Sequence, residues 1–318
     1  MTTKNLLNHP DFPHGILLVH KPTMISSHDV VRQIRKLFNI RAVGHTGTLD
    51  PLATGMLPLV IGEATRFAST LSQQYKRYRA SIQCGTQTTT DDALGETLYT
   101  SIIPHPSITS IHDHLAHFTG DILQTVPTYS ALRHNGKRMY HLARTGQTFT
   151  PPTRSAHTSD VDLIHYDQDA GIITCDITVS SGTYIRSIAR DLGTSLGCYA
   201  HLRALERLWV SPYQHHTTIS VEDIHDTVKL SAAWIPLRDT LSTYPTVELS
   251  TSQALTLGHG IHLPIQLPID PYTGWVRVLY QQQLLGLCHY TEHTLTTHRL
   301  RSYPIPWIKT VCIQSVIP

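Results

Sequence analysis

GHTGTLDPLATGMLPLVIGEATRF, residues Gly44 to Phe67, is the stretch on which the reading of this chain turns. Gly44, Gly47, Pro51 and Gly55 punctuate it too densely for a helix or a paired strand, so it predicts a loop that feeds a strand from Leu57 to Gly62. The loop carries one carboxylate, Asp50. Taken alone, Asp50-Pro51 reads as a turn initiator whose carboxylate bonds nearby amides. Loops held by rigid supports also carry function, and the flanking sequence decides between the two.

Upstream, GILLVH (15 to 20) predicts a buried strand, Lys21-Pro22 a turn, and Ser27 the N-cap of a helix. Val30, Val31, Ile34, Leu37 and Phe38 give that helix an apolar face, leaving Arg32, Arg35, Lys36 and Arg41 for solvent or a polyanion. Downstream, Glu63 to Gln74 predicts a helix, and YKRYRASIQCG (75 to 85) alternates tyrosines with Lys76, Arg77 and Arg79. That alternation suits either a base-stacking, phosphate-neutralising surface or an edge strand with a cationic outer face. VPTYSALRHNGKRMYHLARTG (126 to 146) mixes Tyr and His rings with cations, which favours RNA, and its Met139 to Arg144 part predicts a helix stopped by Gly146.

Strands are expected at Thr158 to Tyr166 and Ile172 to Ser180, and a helix opening near Tyr184 and Arg186 with Ile185, Ile188, Ala189 and Leu192 inward. HLRALERLWVSPY (201 to 213) reads as helix passing into strand, with Leu205 and Leu208 inward. Helical periodicity lapses near Trp234 to Pro245, marking a boundary between residues 1–243 and a β-rich tail, 244–318. Strands are expected in that tail at Trp275 to Tyr280, Leu284 to Tyr290 and Thr297 to Tyr303.

The 318 residues carry a formal net charge of +2, so an RNA site has to come from local clusters of Lys and Arg. Five cysteines, 84, 175, 198, 288 and 312, form no CxxC pair and suit a reducing cytosol. The N-terminus lacks an apolar signal core, and no long apolar run predicts a membrane span, so a cytoplasmic protein without membrane contact is expected. There is no P-loop, no GxGxxG after a strand and no GxSxG elbow, which removes the anchors for nucleotide-driven, redox and serine-hydrolase chemistry. His289 to His293 matches H-x-x-E-H, but zinc chemistry needs both histidines on one helical face, and this copy lies between strand-like runs. No metal is expected.

Across nearly the whole chain the motifs resemble the TruB family, the bacterial tRNA pseudouridine-55 synthases. GHTGTLDPLATGML is similar to the family's catalytic segment, and KRY, TQTTTDDALGE, GTYIR and AHLRAL follow in the family's order. The resemblance implies an α+β fold: a mixed, largely antiparallel sheet with flanking helices and a tRNA-binding insertion, plus a small PUA-like RNA-binding C-terminal domain. It implies catalysis by Asp50, Tyr78 and Arg186, and substrate binding by His45, Tyr184, Leu205, Asp92 and Arg66. The implied partner is the T-loop and T-arm of tRNA, with no guide RNA and no cofactor, and with the chain a monomer. Arg186 would hold Asp50 ionised, because a cation within hydrogen-bond reach favours a charged carboxylate. Tyr78 and Leu205 would sandwich an extruded uracil, with His45 bracing the vacancy. The contrasting reading is a tRNA-binding or tRNA-folding protein whose catalysis is dispensable. Two positions depart from the family pattern: Met24 stands where a glycine is usual, and Arg66 where some members have lysine.

Overall fold

The computed structural model describes residues 14–130, 132–134, 136–267 and 272–300. In chain order the first elements are β1 (Gly15–Lys21), α1 (Ser27–Phe38), β2 (Val43–His45), β3 (Thr54–Ile61), α2 (Ala68–Leu71), β4 (Lys76–Cys84), β5 (Thr86–Thr88) and β6 (Thr97–Thr100). Next come α3 (Ile108–Ala116), β7 (Gly120–Thr125), β8 (Arg133–His134), β9 (Lys137–Arg138), α4 (Met139–Arg144), β10 (Thr153–Asp167) and β11 (Ile172–Val179). The helix α5 (Ile185–Ser195), β12 (Ala200–Val210), α6 (Thr227–Ala232) and β13 (Trp234–Pro236) complete the larger unit.

Its sheet runs β13-β1-β3-β12-β4-β11-β10-β7, with β2 also on β3. Every pairing is antiparallel except β12 with β3, so the expected mixed, largely antiparallel sheet is present. The α5 helix lays Ile185, Ile188, Ala189 and Leu192 against this sheet, in one core with Leu57, Leu59, Ala80, Ile82, Ile177 and Leu202. Burying such side chains contributes about 1.5–3 kcal/mol each.

The smaller unit has β14 (Thr246–Glu248), α7 (Thr251–Gly258), β15 (Leu263–Pro264), β16 (Gly274–Tyr280), β17 (Gln283–Thr291) and β18 (Thr294–Leu300). Its sheet is ordered β14-β16-β17-β18-β15 over its own core. Leu279, Leu284 and Leu287 instead pack with Ile16, Leu18 and Phe67 of the first unit, an apolar seam joining the two sheets. His289 lies on β17, while Glu292 and His293 occupy the left-handed turn into β18, so the H-x-x-E-H pattern has no helical face. The strand expected at Thr297 to Tyr303 begins earlier, at Thr294, and its last three positions lie outside the described residues.

Several local expectations are corrected. The N-cap of α1 is Ser26, whose hydroxyl accepts from the Asp29 amide while the Asp29 carboxylate accepts from the Ser26 amide. Ser27 is the first helical residue, and its buried hydroxyl is spent on the Asp50 loop. Gly44 and His45 belong to β2 and Gly55 to β3, so the irregular loop is narrower than its glycines suggest. Glu63 to Gln74 is a 3-10 turn over Gly62–Phe67 and then the single turn of α2. HLRALERLWV is strand throughout. The segment 75 to 84 is not an edge strand: β4 lies between β12 and β11.

Candidate active site

The loop from Thr46 to Ala53 is fastened at both ends and in its middle. The Ser27 hydroxyl accepts from the Leu49 amide at 2.8 Å and donates to the Leu49 carbonyl at 3.0 Å. The Met24 amide donates to the Pro51 carbonyl at 2.7 Å. Lys21, fully buried, donates through Nζ to the carbonyls of Pro22, Ile25 and Pro51 at 2.8, 2.7 and 3.3 Å. Burial pushes its ammonium down to about 8, against the opposing pull of Asp50. On the far side Arg207 donates to the Gly47 carbonyl at 3.1 Å. These bonds leave Asp50 little freedom where β3 begins.

At Gly55 the β3 backbone passes so close to β12 that a Cβ would meet the Arg207 carbonyl oxygen at 2.3 Å, and its φ is +98°. Only glycine fits both demands. Met24, in contrast, adopts φ +64° with a side chain, mostly exposed, where the family usually has glycine. The turn after Pro22 therefore keeps its left-handed shape, at a cost of about 1 kcal/mol.

Asp50 opens onto a cleft of about 760 Å³. Arg186, in the first turn of α5, reaches it with Nε at 2.9 Å from Asp50 Oδ2 and 3.8 Å from Asp92 Oδ2. The other arms of this buried guanidinium donate to the carbonyls of Thr90 and Tyr129, at 2.9 and 3.1 Å. Asp92 is fixed in turn, Oδ1 accepting from the Thr90 hydroxyl at 2.6 Å and the Leu94 amide at 3.0 Å. The helix start is positioned through its backbone: the Gln124 side-chain amide exchanges hydrogen bonds with Tyr184 N–H and C=O at 3.0 and 3.2 Å. Tyr78 from β4 and Leu205 from β12 complete the apolar wall.

The cleft thus brings together Asp50, Tyr78, Asp92, Tyr184, Arg186 and Leu205 from widely separated segments. Two expected binding residues stand elsewhere. His45, at the end of β2, is not in the cleft wall; its Nδ1 is buried with no hydrogen-bond partner among the described residues, and burial, then Arg207 and His28, lower its pKa. Arg66 pairs with Glu63 at 3.3 Å and donates to the Leu300 carbonyl at 3.2 Å, while Arg299 donates to the Arg66 carbonyl at 2.7 Å. Its contacts join the two sheets.

The cation clusters divide likewise. Arg77 and Arg79 point away from the cleft and are ion-paired to Asp160, Asp162 and Asp176. Arg32 pairs with Asp29, and Arg35 donates to the Val43 carbonyl, leaving Lys36 and Arg41 exposed. The side chains of Arg133, Arg138 and Arg144 lie outside the described residues. Sequence reasoning gave no site role to Lys21 or Arg207 and placed Lys76 with Arg77 and Arg79 on a candidate RNA-facing surface; all three are buried, Lys76 and Arg207 in the cleft wall. The signal for Lys76 and Arg207 was positional, since both fall at inward register positions of a strand.

The comparisons with known proteins agree with this assembly. The TruB family pseudouridylate synthase N-terminal domain matches residues 35–185, and the tRNA pseudouridylate synthase B C-terminal domain matches residues 186–242. The boundary between them falls at the start of α5, so both contribute to the cleft. The tRNA pseudouridine synthase B of Burkholderia pseudomallei (strain 668) is 38% identical over 293 residues, covering 90% of this chain and 96% of that protein. That of Xanthomonas oryzae pv. oryzae (strain MAFF 311018) is 39% identical over 254 residues, covering 79% of this chain and 82% of its own. Among solved structures, a Cbf5-Nop10-Gar1 complex superposes with a TM-score of 0.72 at 22% identity, covering 94% of this chain and 88% of that one. The archaeal box H/ACA sRNP Nop10-Cbf5 complex gives 0.71 at 20% identity, covering 95% and 91%. At such identities these two establish the fold alone. Family models over residues 35–242 and close to 40% identity across most of its length place this chain in the TruB family of pseudouridylate synthases.

Proposed function

We propose that the chain isomerises a uridine in the T-loop of tRNA to pseudouridine, as a monomer in the cytoplasm and without a guide RNA. The observation that carries this reading is the Asp50 carboxylate at the mouth of a largely apolar cleft, held 2.9 Å from a buried arginine that is itself fixed by two carbonyls. In the reaction the bond from ribose C1′ to N1 breaks, C1′ bonds to C5, the C5 proton leaves and N1 gains one. Atoms and electrons balance within the nucleotide. Asp50 serves as nucleophile on the sugar, as nucleophile on the base, or as base toward the ribose in a glycal route, and each role needs an ionised carboxylate.

A T-loop uridine has to leave its stack, which costs a few kcal/mol that base–aromatic stacking of about 1–3 kcal/mol offsets. Tyr78 and Leu205 supply the two faces of that slot, with Asp92 acting on Asp50 through Arg186. His45, outside the cleft wall, has the smaller share, so His45→Ala is expected to slow the reaction less than Asp50→Asn. The test is tritium release from tRNA labelled at uridine C5, with purified protein and no guide RNA. Asp50→Asn is expected to lower the rate at least about a thousandfold while tRNA is still bound. No release by the wild-type protein sinks the enzyme reading, and full function of Asp50→Asn in cells favours a tRNA-folding protein.

A further inference from the structure

Arg207 holds a buried charge that its neighbours do not neutralise. Its residue is 1% exposed, and it donates to the Met56 carbonyl at 2.6 Å, the Gly47 carbonyl at 3.1 Å and the Tyr78 hydroxyl at 3.5 Å, none of them a carboxylate. The contrast is Arg186, with two aspartates beside it. The uncompensated field reaches the neighbours: Arg207 helps push down the pKa values of Lys21, His45 and Lys76. Buried charges are ordinarily paired, because desolvation is costly.

Of its three acceptors, the Tyr78 hydroxyl alone is a side-chain group of the cleft wall. The pairing is built into the sheet, for Arg207 lies opposite Tyr78 across β12–β4 and opposite Gly55 across β12–β3. Directly opposed residues share a face. Here the guanidinium carbon stands 6.0 Å from the Tyr78 ring centroid. The bulge in β12 follows at once, between Arg207 and Trp209, and adjusts the strand at this point.

We propose that Arg207 is a positioning residue for proton removal from uracil C5, acting through the Tyr78 hydroxyl. This rests on the pseudouridine reading above. The guanidinium fixes where the Tyr78 oxygen stands in the cleft wall. After C5 has bonded to C1′, the Tyr78 oxygen accepts the C5 proton as its own proton passes to water. The C5–H electron pair forms the C5–C6 double bond, the pair of the C6–N1 double bond moves to N1, and N1 is protonated by water. One proton has moved from C5 to N1.

The experiment is a double-mutant cycle on the full chain, read by single-turnover tritium release, by the C5-deuterium isotope effect and by tRNA affinity. Arg207→Lys is expected to slow release ten- to a hundredfold in the Tyr78 protein, to raise the isotope effect, and to leave tRNA affinity within about twofold. In the Tyr78→Phe background the same change is expected to cost less than threefold. Equal losses in both backgrounds, or no loss in either, overturn the proposal and leave Arg207 as a strut for the Gly47 and Met56 carbonyls. If Arg207→Lys does not fold, the guanidinium ¹⁵N signal of Arg207 is compared between the wild type and Tyr78→Phe. A displaced signal supports the contact and an unmoved one overturns it. A wild type that releases no tritium defeats the functional reading instead, while the ¹⁵N comparison still reports on the pairing.

Discussion

The two faces of β4 carry cations of the same kind in opposite circumstances. On the outer face Arg79 forms a two-pronged pair with Asp176 at 2.8 and 3.0 Å, and Arg77 reaches Asp160 and Asp162. On the inner face Lys76 is buried, bonded to the carbonyls of Ser72 and Gln74 at 3.1 and 2.7 Å, and Tyr78 stands against Arg207. One face has matched its charge with acid from the neighbouring strands; the other has answered it only with carbonyls and a hydroxyl. The difference shows where positive potential remains available to a nucleic acid base and where it has been consumed.

The largest expected effect comes from disturbing Arg186, a buried cation of the cleft with two aspartates beside it. Arg186→Gln removes the counter-ion of Asp50 and leaves Asp92 buried without a positive partner. Losing one member of a buried pair costs about 3 kcal/mol of stability, measured by denaturant unfolding. Tritium release is expected to fall at least about a hundredfold. A variant that keeps its rate would mean that Asp50 needs no cation, and the contrast between the faces would lose its catalytic meaning.

Lys76 sharpens the contrast through pH. Burial, and then Arg207, push its ammonium down to about 8. The unfolded chain releases that proton near 10.5. Below pH 8 both states hold the proton and the penalty of burying the charge is constant. Between pH 8 and 10.5 the unfolded state binds more protons, so stability contributed by this group rises with pH. Wild type is therefore expected to gain roughly 1–3 kcal/mol relative to Lys76→Met across that window, by urea unfolding at a series of pH values. Parallel curves would show Lys76 to be solvated.

The same contrast explains which parts were legible in sequence. β1, α5 and the β10–β11 hairpin were legible because turn residues and regular periodicity coincide there, whereas the Asp50 loop was read too wide because Gly44 and Gly55 are strand residues. The β12 strand was misread because Leu202, Leu205 and Leu208 recur every third residue, which mimics a helix. Two bulges, between Leu202 and Ala204 and between Arg207 and Trp209, break its period of two, and Arg207 rather than Leu208 shares the cleft with Leu205. Lys21 and Arg207 escaped notice because cations are seldom buried, and only tertiary structure shows the carbonyls that accept from them. Arg77 and Arg79 looked ready for phosphate because their partners, Asp160, Asp162 and Asp176, lie far along the chain.

That last misreading yields the smallest expected effect, and the most exposed test of the comparison. Arg79 is about half exposed, and Arg77 Nε remains 3.7 Å from Asp176 when Arg79 is removed. Arg79→Ala is therefore expected to cost under about 1 kcal/mol in stability and to leave tritium release within twofold. Its effect on tRNA binding follows from counterion release. A cation in contact with a phosphate contributes about 0.9 to the slope of log affinity against log salt for duplex nucleic acid. Arg79 is already neutralised by a carboxylate of its own protein, so a titration of tRNA affinity against salt should give the wild-type slope. A loss of about one from that slope would mean that RNA displaces Asp176 from Arg79, and that the outer face holds its charge in reserve instead of spending it on the fold.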